Sequence, residues 1–355
     1  MIKIESPKGT LGFAIEPNIS AEEVREIASS MPKKKKRGKG GKSGSRFAVV
    51  DLVPTAEMMT AIRILEEGGH KLVAYRDHHA DPRRPVEMRN RGKLRMKIKS
   101  AAVIETREKA PSAAGLVEPR LWKNKDVNVV LFHGDADGFF GFLRGCGIGY
   151  PEMIADAEIL DGARRGRWLS ETGKLVMSAE NLIPPHYTDP EGYAREKTRV
   201  YQQITDDLNR YGELGIDFRV KIYVASNRAD EIAVEIAEQA ILSPGSKIAL
   251  ADFRPTLRAG EKPSISTWKQ AMRERQRSRS MLLCNIGIGH LGEQVYVELP
   301  REWRGRFDLR ELLPDGVAGR LPNRVQVPLG PKWEAFAANW YALLKAEAPY
   351  LLMED

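Results

Sequence analysis

Cysteine and long apolar runs are scarce in this chain of 355 residues. Cys146 and Cys284 are the only cysteines, which excludes a fold held by many disulfides and favours a reducing compartment. No segment approaches the roughly 18 apolar residues of a membrane span, and the N-terminus lacks the charged-then-apolar layout of a secretory signal. We therefore expect a cytoplasmic protein without a membrane partner.

The charge balance is basic, with 56 Lys and Arg against 48 Asp and Glu and a formal net charge of +8. This balance favours a polyanionic partner such as single-stranded DNA or RNA. Basic side chains scattered over the surface would give the same total, so composition alone leaves both interpretations open. It also leaves the oligomeric state open.

Composition shifts divide the chain into four predicted segments. Residues 1–46 include a helix that Ser20 could cap and a basic, glycine-rich run at 31–46 that is typical of a loop or linker. Residues 47–185 are predicted to form an α/β catalytic domain. Residues 186–215 are predicted to be a helical connector, and residues 216–355 a C-terminal, substrate-binding domain of α/β or α+β type.

Three apolar runs in the second segment are typical of buried parallel strands. They are FAVVDLV at 47–53, KLVAYRDHH at 71–79 and NVVLF at 128–132, and a helix begins at Pro54-Thr55 between the first two. The carboxyl ends of parallel strands meet at one edge of a sheet, where ligands bind. The side chains expected at that edge are Asp51, Asp77, His78, His79, His133, Asp135 and Asp137.

The last segment contains further strand and helix patterns. RVKIYVAS at 219–226 predicts a strand, the run at 230–242 predicts a helix capped by Asp230, and KIALADF at 247–253 predicts a second strand. Two more strands, at 281–286 and 294–299, flank a glycine-rich turn. The run at 331–348 predicts an amphipathic helix.

The charged residues at the strand ends are the candidates for a functional site, although each has an ordinary explanation when taken alone. An aspartate after a strand often caps the next helix, Asp137-Gly138 could be a tight turn, and a pair of histidines is usually on the surface. Three such strand ends together indicate a cluster that a cation neutralises. Mixed carboxylate and imidazole ligands suit manganese, iron or zinc, and several carboxylates in one place suggest two metal ions.

These motifs resemble the DHH phosphoesterase superfamily, which includes RecJ-type exonucleases, nanoRNA phosphodiesterases and type II inorganic pyrophosphatases. Asp77-His78-His79 resembles the motif that names the family, VVDLVP around Asp51 resembles its single-aspartate motif, and HGDADGFF resembles its opening D-x-D motif. The three matches cover about residues 47–142.

Two features depart from the family pattern. The D-x-D motif follows DHH by more than fifty residues instead of preceding it, and circular permutation is the simplest explanation. The fourth motif, a further aspartate, is best matched by Asp161, with Asp156 as its nearest rival.

The resemblance implies a division of roles. His133 and Asp135 would bind one Mn²⁺ ion, Asp137, His78 and Asp161 would bind the second, and Asp51 would bridge the two, with Mg²⁺ as a substitute. Asp77 would orient an imidazole, and His79 would contact the substrate phosphate. The last match is the loosest: Gly287, Gly289 and His290 resemble a glycine-rich substrate loop, although an ordinary hairpin turn would look the same.

The predicted function is metal-dependent hydrolysis of phosphoester bonds in single-stranded nucleic acid or short oligonucleotides. One alternative is a phosphoesterase that acts on a small nucleotide or a pyrophosphate-type substrate. A second alternative is a nucleic-acid-binding protein that retains the fold without the reaction.

Overall fold

The computed structural model describes residues 1–32, 34–35, 42–81, 83–161, 168–242, 248–276, 282–289, 292–299, 309, 317–318 and 324–329. The chain forms two compact units. The first comprises Met1–Glu180 and Ala194–Val220, and the second comprises Asn181–Tyr193 and Lys221–Asp355. The N-terminal strands therefore belong to the same unit as the predicted catalytic segment.

The described strands and helices follow each other closely along the chain. The strands are β1 (Ile2–Glu5), β2 (Leu11–Ile15), β3 (Lys34–Lys35), β4 (Lys42–Ser43), β5 (Arg46–Val50), β6 (Lys71–Asp77), β7 (Ala102–Ile104), β8 (Val129–His133), β9 (Ile241–Leu242), β10 (Ile248–Asp252), β11 (Leu282–Gly289), β12 (Gly292–Glu298), β13 (Val317–Ala318) and β14 (Arg324–Pro328). The α-helices are α1 (Ala21–Ser30), α2 (Ala56–Glu67), α3 (Pro85–Ile98), α4 (Leu121–Asn124), α5 (Ala136–Cys146), α6 (Met153–Leu160), α7 (Glu171–Ser178), α8 (Pro190–Tyr211), α9 (Ile216–Gln239), α10 (Arg254–Arg258) and α11 (Ile265–Gln276).

The first unit contains a six-stranded sheet in the order β1-β2-β8-β5-β6-β7. Its described pairings are parallel apart from the β1–β2 pairing. The predicted α/β class with a mostly parallel sheet is therefore confirmed. Because β8 lies between β2 and β5, and β6 pairs with β5, the ends of all three motif-bearing strands lie at one edge of the sheet.

The strands of this sheet are apolar because both faces are covered. One face packs on a core that includes Phe13, Phe47, Val49 and Leu131, all buried. On α5, Phe142 stacks on Phe132 of β8 with ring centroids 5.4 Å apart. Burial of these large side chains fixes the position of the strand ends that carry the motifs.

The predicted N-cap at Ser20 is confirmed, whereas the basic run predicted to be a loop or linker contains two short paired strands. Strand β2 precedes α1, and Ser20 caps α1 in a capping box with Glu23. In the basic run at 31–46, the structure places the two-residue strands β3 and β4. None of the helices in the described ranges is both long and apolar enough to cross a membrane.

The predicted strand at 219–226 is wrong, since these residues lie inside helix α9. The apolar residues there recur at a helical period: Phe218, Ile222, Ala229 and Ile232 are buried, whereas Val220 and Val224 are exposed. The β-branched composition of residues 219–226 favours a strand, but the helical spacing of the buried residues is what the fold follows. The helix begins well before Asp230, so this residue does not cap it; Asp230 accepts a hydrogen bond from Thr267 instead.

The second unit contains a sheet in the order β13-β14-β12-β11-β10-β9. Of its described pairings, β10–β11 is parallel and the others are antiparallel. The strands predicted at 247–253, 281–286 and 294–299 are β10, β11 and β12. The helix predicted at 331–348 lies outside the described residues.

Candidate metal centre

Asp51 lies at the centre of the site, directly after β5. Its side chain is buried, and its backbone has a left-handed φ of 57°, which aspartate tolerates better than most residues. The Asp51 N–H donates to the carbonyl of Arg76 on the neighbouring strand at 2.8 Å. The sheet therefore holds this carboxylate in place through the backbone.

His78 is fully buried beside three carboxylates. Its Nδ1 lies 3.0 Å from the carbonyl oxygen of Ala110, so Nδ1–H donates there and Nε2 is left with a lone pair. Nε2 lies 3.3 Å from Asp51 Oδ1, 3.4 Å from Asp137 Oδ2 and 3.8 Å from Asp161 Oδ2. A hydrogen bond from Nδ1 to a backbone carbonyl is a common arrangement for metal-ligating histidines.

Three buried atoms of this cluster have no hydrogen-bond partner: Asp51 Oδ1, His78 Nε2 and Asp161 Oδ2. A lone pair facing carboxylate oxygens is repulsive unless a proton or a metal ion lies between them. Burial opposes protonation of His78, but the adjacent Asp51 carboxylate and the charge of Asp137 outweigh it and raise the pKa of His78 to about 9. The cluster therefore requires a cation.

Asp137 is placed by the backbone that faces it. Its carboxylate is buried and accepts hydrogen bonds from the N–H groups of Ala113 at 2.7 Å and Ala114 at 3.0 Å. Burial, followed by the charge of Asp51, raises the pKa of Asp137 well above its ordinary value. Because Asp137 lies in the first turn of α5, the interpretation of Asp137-Gly138 as a tight turn is wrong.

His133 and Asp135 form the opposite side of the cluster. His133 Nδ1 lies 2.7 Å from Asp135 Oδ2 and 3.7 Å from Asp51 Oδ2, while its Nε2 lies 3.4 Å from Glu16 Oε2. Burial opposes protonation, but the hydrogen bond to Asp135 and the nearby carboxylates of Asp51 and Glu16 raise the pKa of His133 to about 12. Asp135 also caps α5, since its Oδ1 accepts from the Gly138 N–H at 3.0 Å.

Asp77 contacts His79 rather than the centre of the cluster. His79 Nδ1 lies 2.9 Å from Asp77 Oδ1, and the His79 N–H donates to Asp77 Oδ2 at 3.2 Å. The carboxylate therefore fixes both the backbone and the ring of His79, and it leaves Nε2 as an acceptor. That Nε2 lies 2.9 Å from Arg107 Nη2.

Among the residues that the structure describes, three overlapping groups of side chains could hold metal ions, with ligand atoms within 4.8 Å of one another. They are Asp51 with His78 and His79, Asp51 with His133 and Asp135, and His78 with Asp137 and Asp161. Carboxylate and imidazole donors, together with the three unpartnered buried atoms, fit divalent metal ions. Asp51 belongs to two of the groups, which is the arrangement expected of a bridging ligand.

Asp161 joins the site, whereas its rival Asp156 does not. Asp161 follows α6, and its Oδ2 points to His78 while its Oδ1 accepts from Arg107 at 2.9 Å. The Asp156 carboxylate accepts from Tyr150 Oη at 2.9 Å and from the Ser170 N–H at 2.8 Å. These hydrogen bonds join Asp156 of α6 to Ser170 at the start of α7, so the role of Asp156 is structural.

Sequence reasoning missed Glu16 and Arg107. Glu16 directly follows β2, so the rule that selected Asp51, an acid at the end of an apolar strand, would have selected it too. Arg107 lies in a turn after β7, within a basic stretch that has no apolar period. No sequence signal separates Arg107 from its basic neighbours.

A cavity of about 310 Å³ adjoins the His133 side of the cluster. Phe139, Met177, Lys197 and Tyr201 line it together with His133 and Asp135. The Lys197 ammonium lies 3.5 Å from Glu180 Oε1. Tyr201 Oη lies 3.2 Å from the carbonyl oxygen of Gly134, which connects α8 to the loop that carries both metal-ligand candidates.

The glycine-rich segment of the second unit does not form a loop at the predicted glycines. Gly287 and Gly289 lie in β11, opposite Gln294 and Gly292 of β12. The described pairing of β11 with β12 extends to Gly289 and Gly292, and His290 lies outside the described residues. Gly287 lines a cavity of about 760 Å³, so substrate contact there stays a prediction.

Comparison with known proteins assigns no family to the chain. No family model matches, and no curated protein matches. Fifteen chains of solved structures match. A pGpG-specific phosphodiesterase, PggH, from Vibrio cholerae has a TM-score of 0.42 and 12% identity, covering 86% of this chain and all of that chain. An exopolyphosphatase-related protein from Bacteroides fragilis has a TM-score of 0.33 and 10% identity, covering 87% of this chain and 74% of that chain.

Proposed function

We propose that this protein is a metal-dependent phosphoesterase with a DHH-type site. The observation that carries the proposal is the set of overlapping ligand groups around Asp51, with buried atoms of Asp51, His78 and Asp161 left without a partner. A protein that used these residues only for packing would have satisfied or neutralised them. A pair of divalent cations would satisfy all three atoms.

The residues divide into two ligand sets that share Asp51. His133 and Asp135 would hold one ion, and His78, Asp137 and Asp161 the other. The mixture of imidazole nitrogen and carboxylate oxygen favours Mn²⁺ over Ca²⁺. When bound, such ions supply positive charge to phosphate oxygens and activate water for attack at phosphorus.

His79 is proposed to contact the substrate phosphate, with Asp77 as its positioning residue. The 2.9 Å hydrogen bond from Nδ1–H to Asp77 fixes the ring and its tautomer. His79 Nε2 then accepts from Arg107 at the edge of the ligand set, so the ring would meet the phosphate beside the guanidinium that it holds. A ring held in this way loses little entropy when a phosphate binds.

Circular permutation remains our explanation for the order of the motifs. Strands β8, β5 and β6 are neighbours and mutually parallel, so their ends reach the same edge whichever strand comes first in the chain. The arrangement of the ligands in space supports membership of the DHH superfamily. The order in the chain does not argue against it.

Two substrate classes remain in competition. The net charge of +8 favours single-stranded nucleic acid or a short oligonucleotide, whose backbone contacts basic side chains beyond the scissile bond. The cavity of about 310 Å³ beside His133 favours a compact substrate, such as a small nucleotide, since it is near the lower end of small-molecule sites. We place short oligonucleotides first.

The experiment is hydrolysis of 5′- and 3′-labelled oligonucleotides of two to twenty nucleotides with Mn²⁺, with and without EDTA. Asp51→Asn tests the bridging ligand, and Asp81→Asn is the matched control because Asp81 pairs with Arg83 outside the cluster. We expect EDTA and Asp51→Asn to abolish hydrolysis and Asp81→Asn to retain it. Binding of oligonucleotides without hydrolysis at any metal concentration would instead support a nucleic-acid-binding protein that lacks the reaction.

A further inference from the structure

Arg107 contacts two members of the site at once. Its Nη2 lies 2.9 Å from His79 Nε2 and 2.9 Å from Asp161 Oδ1. The side chain is 44% exposed, so a ligand in the solvent can reach it. Because the opposite oxygen of Asp161 points to His78, this carboxylate lies between the guanidinium and the ligand set.

Asp161 can pair with two cations, the Arg107 guanidinium and a bound metal ion. The two would compete for its single carboxylate. Without a metal ion, Asp161 lies between His78 Nε2, 3.8 Å from its Oδ2, and Arg107 Nη2, 2.9 Å from its Oδ1. A divalent ion on Asp161 Oδ2 would draw electron density from the carboxylate and weaken its ion pair with the guanidinium. His79 Nε2 would still hold the guanidinium in place, since its acceptor lone pair is directed there by Asp77.

A guanidinium held in this way matches the geometry of a phosphate group. Its planar set of donors binds two oxygens of a phosphate side by side, which a lysine ammonium cannot do. We propose that Arg107 binds the non-bridging oxygens of the substrate's phosphate and that Asp161 holds it until a metal ion binds. The inference rests on the proposed function, and its ligand class is the phosphate monoester or diester oxyanion.

Calorimetric titration of the full-length protein tests both parts of the proposal. Mn²⁺ should bind Arg107→Gln at least as tightly as wild type, because a positive charge beside the ligands is removed. Inorganic phosphate should bind the Mn²⁺-loaded variant roughly 10- to 100-fold more weakly, as expected for the loss of a charge-assisted hydrogen-bond pair. Arg107→Lys should recover part of the loss.

Arg83→Gln is the matched control, since it removes the same charge from a nearby loop where Arg83 is 89% exposed. It should change neither affinity by more than about twofold. If Arg107→Gln weakens Mn²⁺ binding tenfold and leaves phosphate binding at saturating Mn²⁺ unchanged, Arg107 only positions Asp161 and the proposal is overturned.

The same titrations separate this inference from the proposed function. Wild-type protein that binds phosphate through Arg107 but hydrolyses no phosphoester would refute the enzyme and retain the anion site. Wild-type protein that hydrolyses phosphoesters, with an unchanged KM and phosphate affinity in Arg107→Gln, would retain the enzyme and refute the anion site.

Discussion

A single methyl group at position 138 should both destabilise the first unit and weaken metal binding. Gly138 lies in the first turn of α5, against the end of β8. An added Cβ would lie 2.3 Å from the His133 carbonyl oxygen and 2.8 Å from the His133 nitrogen, both backbone atoms. Neither atom can move by a change of rotamer, so the helix and the strand would have to separate.

The separation can be estimated from ordinary contact distances. The closest approach must grow by roughly 1 Å before the added Cβ reaches van der Waals contact with the carbonyl. Overpacking of this kind costs about 1–3 kcal/mol, more than the gain of about 0.5–1 kcal/mol that alanine brings to a helix interior. Because His133 and Asp135 flank the contact, a shift of about 1 Å should weaken Mn²⁺ binding at least tenfold.

Urea denaturation and Mn²⁺ titration of Gly138→Ala measure the two effects. Gly92→Ala is the matched control, because Gly92 lies in α3 and an added Cβ there meets no atom within 4 Å. The control should be neutral or more stable than wild type and should bind Mn²⁺ equally well. If Gly138→Ala has the stability and the Mn²⁺ affinity of wild type, the close approach of α5 to β8 does not position the ligands.

Substitutions, pH and salt test other parts of the site and the proposed substrate. Asp77→Asn should lower kcat by roughly 10- to 100-fold with little change in Mn²⁺ affinity, because His79 loses its positioning carboxylate; equal losses in both would refute this role. Mn²⁺ affinity should rise at least tenfold per pH unit up to pH 9, because each ion displaces the proton of its imidazole ligand and the nearby carboxylates raise the pKa of His78 to about 9 and that of His133 to about 12; flat titrations between pH 7 and 8 would contradict it. Tyr201→Phe should lower the free energy of unfolding in urea by about 1 kcal/mol, since the Tyr201 hydroxyl contacts Gly134 and Glu180; an unchanged midpoint would show that these contacts do not stabilise the fold. Oligonucleotide binding should weaken steeply with salt, at about −0.7 log units per log unit of salt for each phosphate contact, and deletion of residues 33–44 should lower affinity without changing the rate at saturation; salt-insensitive binding would favour the small-substrate alternative.

Much of the candidate site could be predicted because its residues follow apolar, β-branched runs, which identify buried strands from sequence. Asp51, His78 and His133 each come directly after an apolar, β-branched run, and parallel strands bring their ends to one edge. Asp161 follows a helix instead, so only the family resemblance selected it over Asp156. Arg107 could not be predicted, since its role depends on a turn that packs against residues distant in the chain.

The fold of the second unit was harder to predict because one pattern had two interpretations. The segment at 219–226 is rich in β-branched and aromatic residues, which favour strands, yet it continues a helix that begins at Ile216. A long window centred on Ile222 reveals the helical period that the short run conceals. The cavity that Gly287 lines depends on packing that local composition does not encode.

The number of manganese ions bound per wild-type chain tests whether the cluster around Asp51 holds a metal pair. We would load purified protein with Mn²⁺, remove excess ion, and measure bound manganese per chain together with anomalous scattering from a crystal. We predict two ions per chain, about 3.5–4 Å apart, with Asp51 contacting both, and reduced occupancy in Asp51→Asn. A stoichiometry of zero, or ions bound away from Asp51 and His78, would refute the proposed two-ion site.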